Sequence, residues 1–137
     1  MRGRLLSLDS CVLICFLEGG PFGPAAKEVI KAIRDRKAEA VISTLALLEL
    51  QVGPYRKGDQ DLADRYFVLL QDLANCHWIP LSYRIADRAA QLRAEYRLEV
   101  PDSIHLATAF ESGATVFVTN DKDLPVIPGM EYRFVGG

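Results

Sequence analysis

The chain has 137 residues, half of them hydrophobic and a quarter charged, with a formal net charge of −2. That length suits a single domain over 1–137 with a buried core, and the mildly acidic balance excludes a protein that grips nucleic acid through phosphate contacts alone. No apolar run approaches the ~20 residues that cross a bilayer, so no membrane partner is expected.

Residues 4–9 read as a short buried strand ending in Asp9. Helical spacing follows over 10–18, with Ser10 as the expected N-cap, and GGPFGP at 19–24 breaks it. Residues 25–37 form an amphipathic helix with Val29, Ile30 and Ile33 on one face. A second strand covers 38–43, and Ser43 is placed to cap a helix at 44–52 that Gly53-Pro54 should end. Another amphipathic helix spans 59–75, a third strand 77–81 and a further helix 83–97. Pro101 opens a helix at 101–113, because proline is favoured in a first turn, and Gly113 stops it. A fourth strand covers 114–119, and 131–135 is the expected fifth.

Strands alternate with helices, which predicts an α/β fold with a central, mainly parallel sheet of four to five strands and helices on both faces. In such folds ligands bind beyond the carboxyl ends of the strands. The opening MRGRLLSLDS carries no cleavage motif and Asp9 interrupts its apolar stretch, so the cytoplasm is the expected location. Cys11, Cys15 and Cys76 have neither disulfide nor zinc spacing and are expected to be buried and inert.

Four acids project toward that strand edge. Asp9 ends the first strand, Asp121 follows the fourth by two residues, and Asp102 sits in a first helical turn. Glu49 reaches the edge if its helix leans across it. Each acid alone has an ordinary explanation as a turn, cap or surface residue. For the four together that explanation weakens, because like charges ~4–6 Å apart repel by roughly 3–4 kcal/mol per pair at an effective dielectric near 20. A divalent cation reverses the sign of that cost, and an all-oxygen set favours Mg²⁺ or Mn²⁺ over zinc.

At these residues the chain resembles the PIN-domain family, most closely the VapC-type ribonuclease toxins of toxin–antitoxin pairs. The matching segments are LDSCVLICFLEG (8–19), VISTLALLEL (41–50), VPDSIHLATA (100–109) and VFVTNDKDL (116–124), in the family's order. The resemblance implies a PIN-like three-layer α/β/α sandwich and a Mg²⁺- or Mn²⁺-dependent endoribonuclease. Carried over residue by residue, it implies that Asp9, Glu49, Asp102 and Asp121 form the catalytic, metal-holding set, supported by Ser10, Thr119 and Asn120. Asp121 is preferred as the fourth acid and Asp123 is kept as an outer or alternate ligand. Leu124 stands where related toxins often carry Phe, a packing change.

The implied chemistry is in-line attack on a phosphodiester by a metal-activated water, leaving 5′-phosphate and 3′-hydroxyl ends. Arg4, Arg56, Lys57 and Lys122 are candidate phosphate contacts. His105, three residues after Asp102, is placed to face the pocket, although a core or surface role is favoured over a catalytic one. The resemblance further implies an antitoxin partner and a homodimer. Apolar side chains on 10–18 and 59–75, among them Tyr66, Phe67 and Leu70, are candidate contacts for that partner, and core packing explains them equally.

Rival readings fit less well. A haloacid-dehalogenase-like phosphatase needs a second Asp where Cys11 stands, and a calcium loop does not tolerate Pro125 and Val126. A PIN-fold RNA-binding or assembly module without catalysis is the alternative that survives.

Overall fold

In the computed structural model, which describes residues 4–136, five strands and six helices alternate as β1 (Arg4–Leu8), α1 (Ser10–Glu18), α2 (Gly23–Arg34), β2 (Ala38–Ser43), α3 (Leu45–Arg56), α4 (Gln60–Gln71), β3 (Cys76–Ile79), α5 (Tyr83–Tyr96), α6 (Val100–Glu111), β4 (Val116–Thr119) and β5 (Glu131–Phe134). All five strands are parallel, in the order β3-β2-β1-β4-β5. The sheet is thus wholly rather than mainly parallel. The single-domain reading over 1–137 includes residues 1–3 and 137, which lie outside the described residues.

The two-residue period of the strands divides the core into two. Leu6, Leu8, Ala40, Ile42, Val116 and Val118 face one side, where Val12, Leu13, Ile30, Ile33, Leu50 and Leu70 cover them. Val41 and Phe117 face the other, against Ile85, Leu92 and Leu106 of α5 and α6. Helices α1 to α4 therefore form one outer layer and α5 with α6 the other. The resulting three-layer sandwich explains why β4 is buried along its whole length.

Several boundaries differ from those expected from the sequence. Asp9, not Ser10, caps α1, because its carboxylate accepts from the Ser10 backbone N–H. Helix α2 starts at Gly23 and takes in Pro24, which suits a first turn, and it ends at Arg34 before Arg36 adopts a left-handed conformation at φ 63. Helix α3 runs through Gly53-Pro54 to Arg56 instead of stopping there. Pro54 forfeits one intrahelical donor, but it is buried, and its carbonyl accepts from both Lys57 and Asp59. The N-cap of α3 is Thr44 rather than Ser43, with no capping bond from its side chain; Ser43, one residue earlier, accepts from Leu45 N–H through its Oγ at 3.1 Å. Helix α4 is shorter than 59–75, with Asp59 capping Leu62 N. No helix among the described residues is long and apolar enough to cross a membrane.

The surface assignments change as well. Tyr66 and Leu70 are buried, so neither is available to a partner, whereas Phe67, Val68 and Leu69 beside them are exposed. On 10–18, Val12 and Leu13 are buried and Ile14, Cys15, Phe16 and Leu17 pack against the core. Arg4 starts β1, so it lies at the opposite sheet edge from Asp9, and it is paired with Glu131 at 3.3 Å. It is not at the rim of the acidic site.

Strand order reverses direction between β1 and β4: the chain builds outward from β1 to β2 and β3, then crosses to β4 and β5. Such a switch point opens a crevice beyond the carboxyl ends of the two strands. Asp9 leaves β1 there and Thr119 ends β4 there.

Candidate active site

The crevice is closed at its base by backbone. Asp9 N–H donates to Val118 O at 2.9 Å, locking the end of β1 to β4. Both Asp9 carboxylate oxygens are held: Oδ1 accepts from Ser10 N–H at 2.8 Å and Oδ2 from Thr119 Oγ1 at 2.8 Å. Asp9 is 8% exposed, so these two bonds replace most of its hydration. Thr119, fully buried, also accepts from Asp121 N–H at 3.1 Å. One hydroxyl thereby sets the position of two acids from neighbouring strand ends.

The segment after β4 is a tight polar turn. Asp121 Oδ1 accepts from Asp123 N–H at 2.9 Å, an Asx-type closure. Asn120 N–H donates to Cys11 Sγ at 3.2 Å, anchoring the turn to α1. Burial, and next the Asp9 charge, pushes the Cys11 thiol up to about 12. It stays protonated at neutral pH and serves as a packing and acceptor group; Cys11, Cys15 and Cys76 are all half-buried rather than buried, because each lies at the margin of the core.

Asp102 is half-buried in the first turn of α6. Burial raises its carboxyl above the ordinary value, and the charges of Asp9, Asp121 and Glu99 raise it further. The Asp121 charge is among these causes and that of Asp123 is not. Asp123 is exposed. A cavity of about 360 Å³ opens beside these acids, lined by Asp102, Asp121, Asp123, Glu99 and Arg97 among others.

Glu49 reaches the edge through partners on other elements. Its Oε1 lies 2.6 Å from His105 Nε2 on α6. A carboxylate only accepts, so the His105 Nε2–H donates. That hydrogen bond is the largest cause holding Glu49 below its ordinary value, and the Ser10 hydroxyl adds to it. His105 is 2% exposed, and its Nδ1 has no hydrogen-bond partner among the described residues. The histidine thus faces a site acid from the core. Sequence spacing places it on the right helix face without identifying its partner, and the i, i+3 step from Asp102 is the only signal.

Among the described residues no three His, Cys, Asp or Glu side chains converge as a ready-made ion-binding group. The donor set nevertheless suits a hard cation. It is all carboxylate, and Asp102 is disfavoured as an anion by burial and then by its acidic neighbours, a cost that a divalent cation offsets. Magnesium in particular keeps several waters and is held by one or two carboxylates, so it does not require closure of all four acids on one point.

The remaining candidates are dispersed. Lys122 Nζ sits over the Phe134 ring, 5.9 Å from its centroid. Arg56 and Lys57 are exposed at the far end of α3, and Arg56 lines an apolar hollow with Leu48 and Tyr55. Arg97, at the cavity, is not among the cations that sequence spacing singles out.

A family model described as PIN domain matches residues 6–130. Comparison with curated protein sequences finds no match. Among solved structures, a toxin–antitoxin complex from Klebsiella pneumoniae contains a chain 29% identical, covering 91% of this chain and 94% of that one, with a TM-score of 0.71. VapBC2 from Rickettsia felis, bound to a DNA fragment from its promoter, is 15% identical over 96% of this chain and 98% of that one, with a TM-score of 0.76. Mycobacterium tuberculosis VapC20, a Sarcin-Ricin loop cleaving toxin, is 13% identical over 86% and 91%, with a TM-score of 0.69. At such identities the last two show the fold alone.

Proposed function

We propose that this chain, which belongs to the PIN domain family, is a VapC-type toxin: an endoribonuclease dependent on Mg²⁺ or Mn²⁺. The observation that supports the reading is that Thr119 ties Asp9 and Asp121 together at the β1–β4 switch point, while Asp102 lines the adjoining cavity with Asp121 and has its carboxyl raised by burial and by the charges of both. In this reading Asp9, Asp102 and Asp121 hold the ion, and Asp123 is an outer or alternate ligand. When bound, the cation supplies Lewis acidity at a phosphodiester and a water made acidic enough for in-line attack.

The chain's own groups do the rest. Thr119 and Ser10 N–H fix the Asp9 carboxylate while leaving lone pairs on both oxygens. Glu49, kept ionised by the His105 hydrogen bond and the Ser10 hydroxyl, orients the ion or the attacking water. Asn120 holds the β4 turn through Cys11. Products with 5′-phosphate and 3′-hydroxyl ends follow from water, rather than the ribose hydroxyl, as nucleophile.

The solved toxin–antitoxin assemblies among its structural neighbours support an antitoxin partner, and a homodimer accords with the same class. The exposed apolar side chains Leu48 and Tyr55 of α3, with Phe67, Val68 and Leu69 of α4, are the surface proposed for such contacts. The cytoplasm is the proposed location.

The competing reading, a PIN-fold RNA-binding or assembly module without catalysis, draws on the lack of a converged three-ligand group among the described residues. Cleavage of a fluorogenic single-stranded RNA separates the two. Purified protein is assayed with Mg²⁺, Mn²⁺ or chelator beside Asp9→Asn prepared identically. Metal-dependent cutting that the substitution abolishes supports the nuclease. Equal cutting by both proteins removes the assignment of the site.

A further inference from the structure

An RNA strand entering the acidic cavity brings negative charge against four carboxylates, so something must hold its phosphates. Among the described residues lining that cavity, Arg97 is the sole lysine or arginine. It stands beside Glu99, Asp102, Asp121 and Asp123, and yet its guanidinium makes no hydrogen bond or ion pair with any of them among the described residues.

Its backbone is unusual too. Arg97 closes α5 as the C-cap in the left-handed region, at φ 57 and ψ 38, with its N–H donating to Arg93 O at 2.9 Å. Glycine takes that conformation freely, whereas a side-chain-bearing residue there costs ~1 kcal/mol. An exposed arginine that lines the cavity therefore sits where glycine would be the more stable choice. The candidates named from sequence are placed less well. Arg4 is at the other sheet edge in a pair with Glu131, and Lys122 lies over the Phe134 ring.

We propose that Arg97 binds the substrate: its planar guanidinium takes a backbone phosphate of the RNA adjacent to the one cleaved, holding the strand across the acidic cavity. A planar fork suits two oxygens of one phosphate, so lysine is a poor replacement. The inference rests on the endoribonuclease reading, since a phosphate contact here has a purpose only if RNA lies across these acids.

Four proteins test it: wild type, Arg97→Gly, Arg97→Lys, and Lys31→Ala as a charge control on the exposed face of α2. Arg97→Gly suits the backbone, so it is expected to fold with a Tm at or above wild type. RNA binding is read by fluorescence anisotropy in chelator over a salt series, and cleavage by kcat and KM with Mn²⁺. Arg97→Gly should raise KM about tenfold with kcat within about threefold, and reduce the slope of log K against log salt by about 0.7, the share of one phosphate contact on a single strand. Arg97→Lys should recover only part of the affinity, and Lys31→Ala should match wild type. If wild type binds and cuts RNA and Arg97→Gly has the same KM and salt slope, the proposal is wrong while the nuclease reading stands. The proposal also fails, and the nuclease reading survives, if Lys31→Ala weakens binding as much as Arg97→Gly. If wild type neither binds nor cuts RNA, both are overturned.

Discussion

Replacing Thr119 by valine keeps the shape of a fully buried side chain and deletes one hydroxyl. That hydroxyl donates to Asp9 Oδ2 at 2.8 Å and accepts from Asp121 N–H at 3.1 Å. A hydrogen bond to a charged group contributes about 1.5–3 kcal/mol, and an orphaned, partly buried N–H costs about 1 kcal/mol more. Valine opens no cavity, so the expected loss is about 3 kcal/mol, or roughly 10 °C in Tm for a chain of this size. Thr119→Ser keeps both hydrogen bonds and removes one methyl, a loss of about 1 kcal/mol. Denaturant melts in chelator measure both variants without any contribution from metal binding. Activity at a temperature where both are folded should fall about 10- to 100-fold for valine, the range found when a group orienting a metal ligand is removed, and little for serine. Equal destabilisation by valine and serine, or full activity in the valine variant, would refute the role given to this hydroxyl.

Asp102→Asn should separate stability from function. It removes a charge opposed first by burial and then by Asp9, Asp121 and Glu99, so the chelated protein should show a higher Tm while cleavage is lost. The pH dependence carries the same sign. A carboxyl raised in the folded state favours folding below its unfolded value of 3.8 and loses that contribution as pH rises through the raised value, so the chelated wild type should show a decline that Asp102→Asn lacks. His105→Leu leaves Glu49 without its main donor and should cost about 2 kcal/mol by urea titration, with His105→Gln recovering part of it. If His105→Leu leaves Mn²⁺ affinity and kcat unchanged, the histidine is only a core residue.

Much of this site was legible because strand direction dictates it. Asp9 and Asp121 follow buried strands, and parallel order sends the ends of both to one edge. Pro101 likewise announced the helix that presents Asp102. What the sequence did not carry depends on contacts between elements. Glu49 is aimed by His105 from α6 and by Ser10 from α1, and no spacing within α3 contains that information. The run YFVLL in α4 allows either face inward; packing against α3, with Gln51 Nε2 donating to Ala63 O and Trp78 Nε1 to Leu70 O, buries Tyr66 and Leu70 and leaves Phe67 outside. Gly53-Pro54 reads as a stop, but burial of Pro54 and the hydrogen bonds accepted by its carbonyl let α3 continue. Arg97 was invisible because a left-handed C-cap is anticipated only when the residue is glycine or asparagine.

These acids are proposed to hold a hard divalent cation. Calorimetric titration of Mn²⁺ into metal-stripped wild type, Asp9→Asn and Asp102→Asn tests it directly, independent of any RNA target. Saturable binding by wild type that both substitutions abolish is the predicted result. No binding by wild type, or binding that neither substitution weakens, would mean that these acids do not hold the ion.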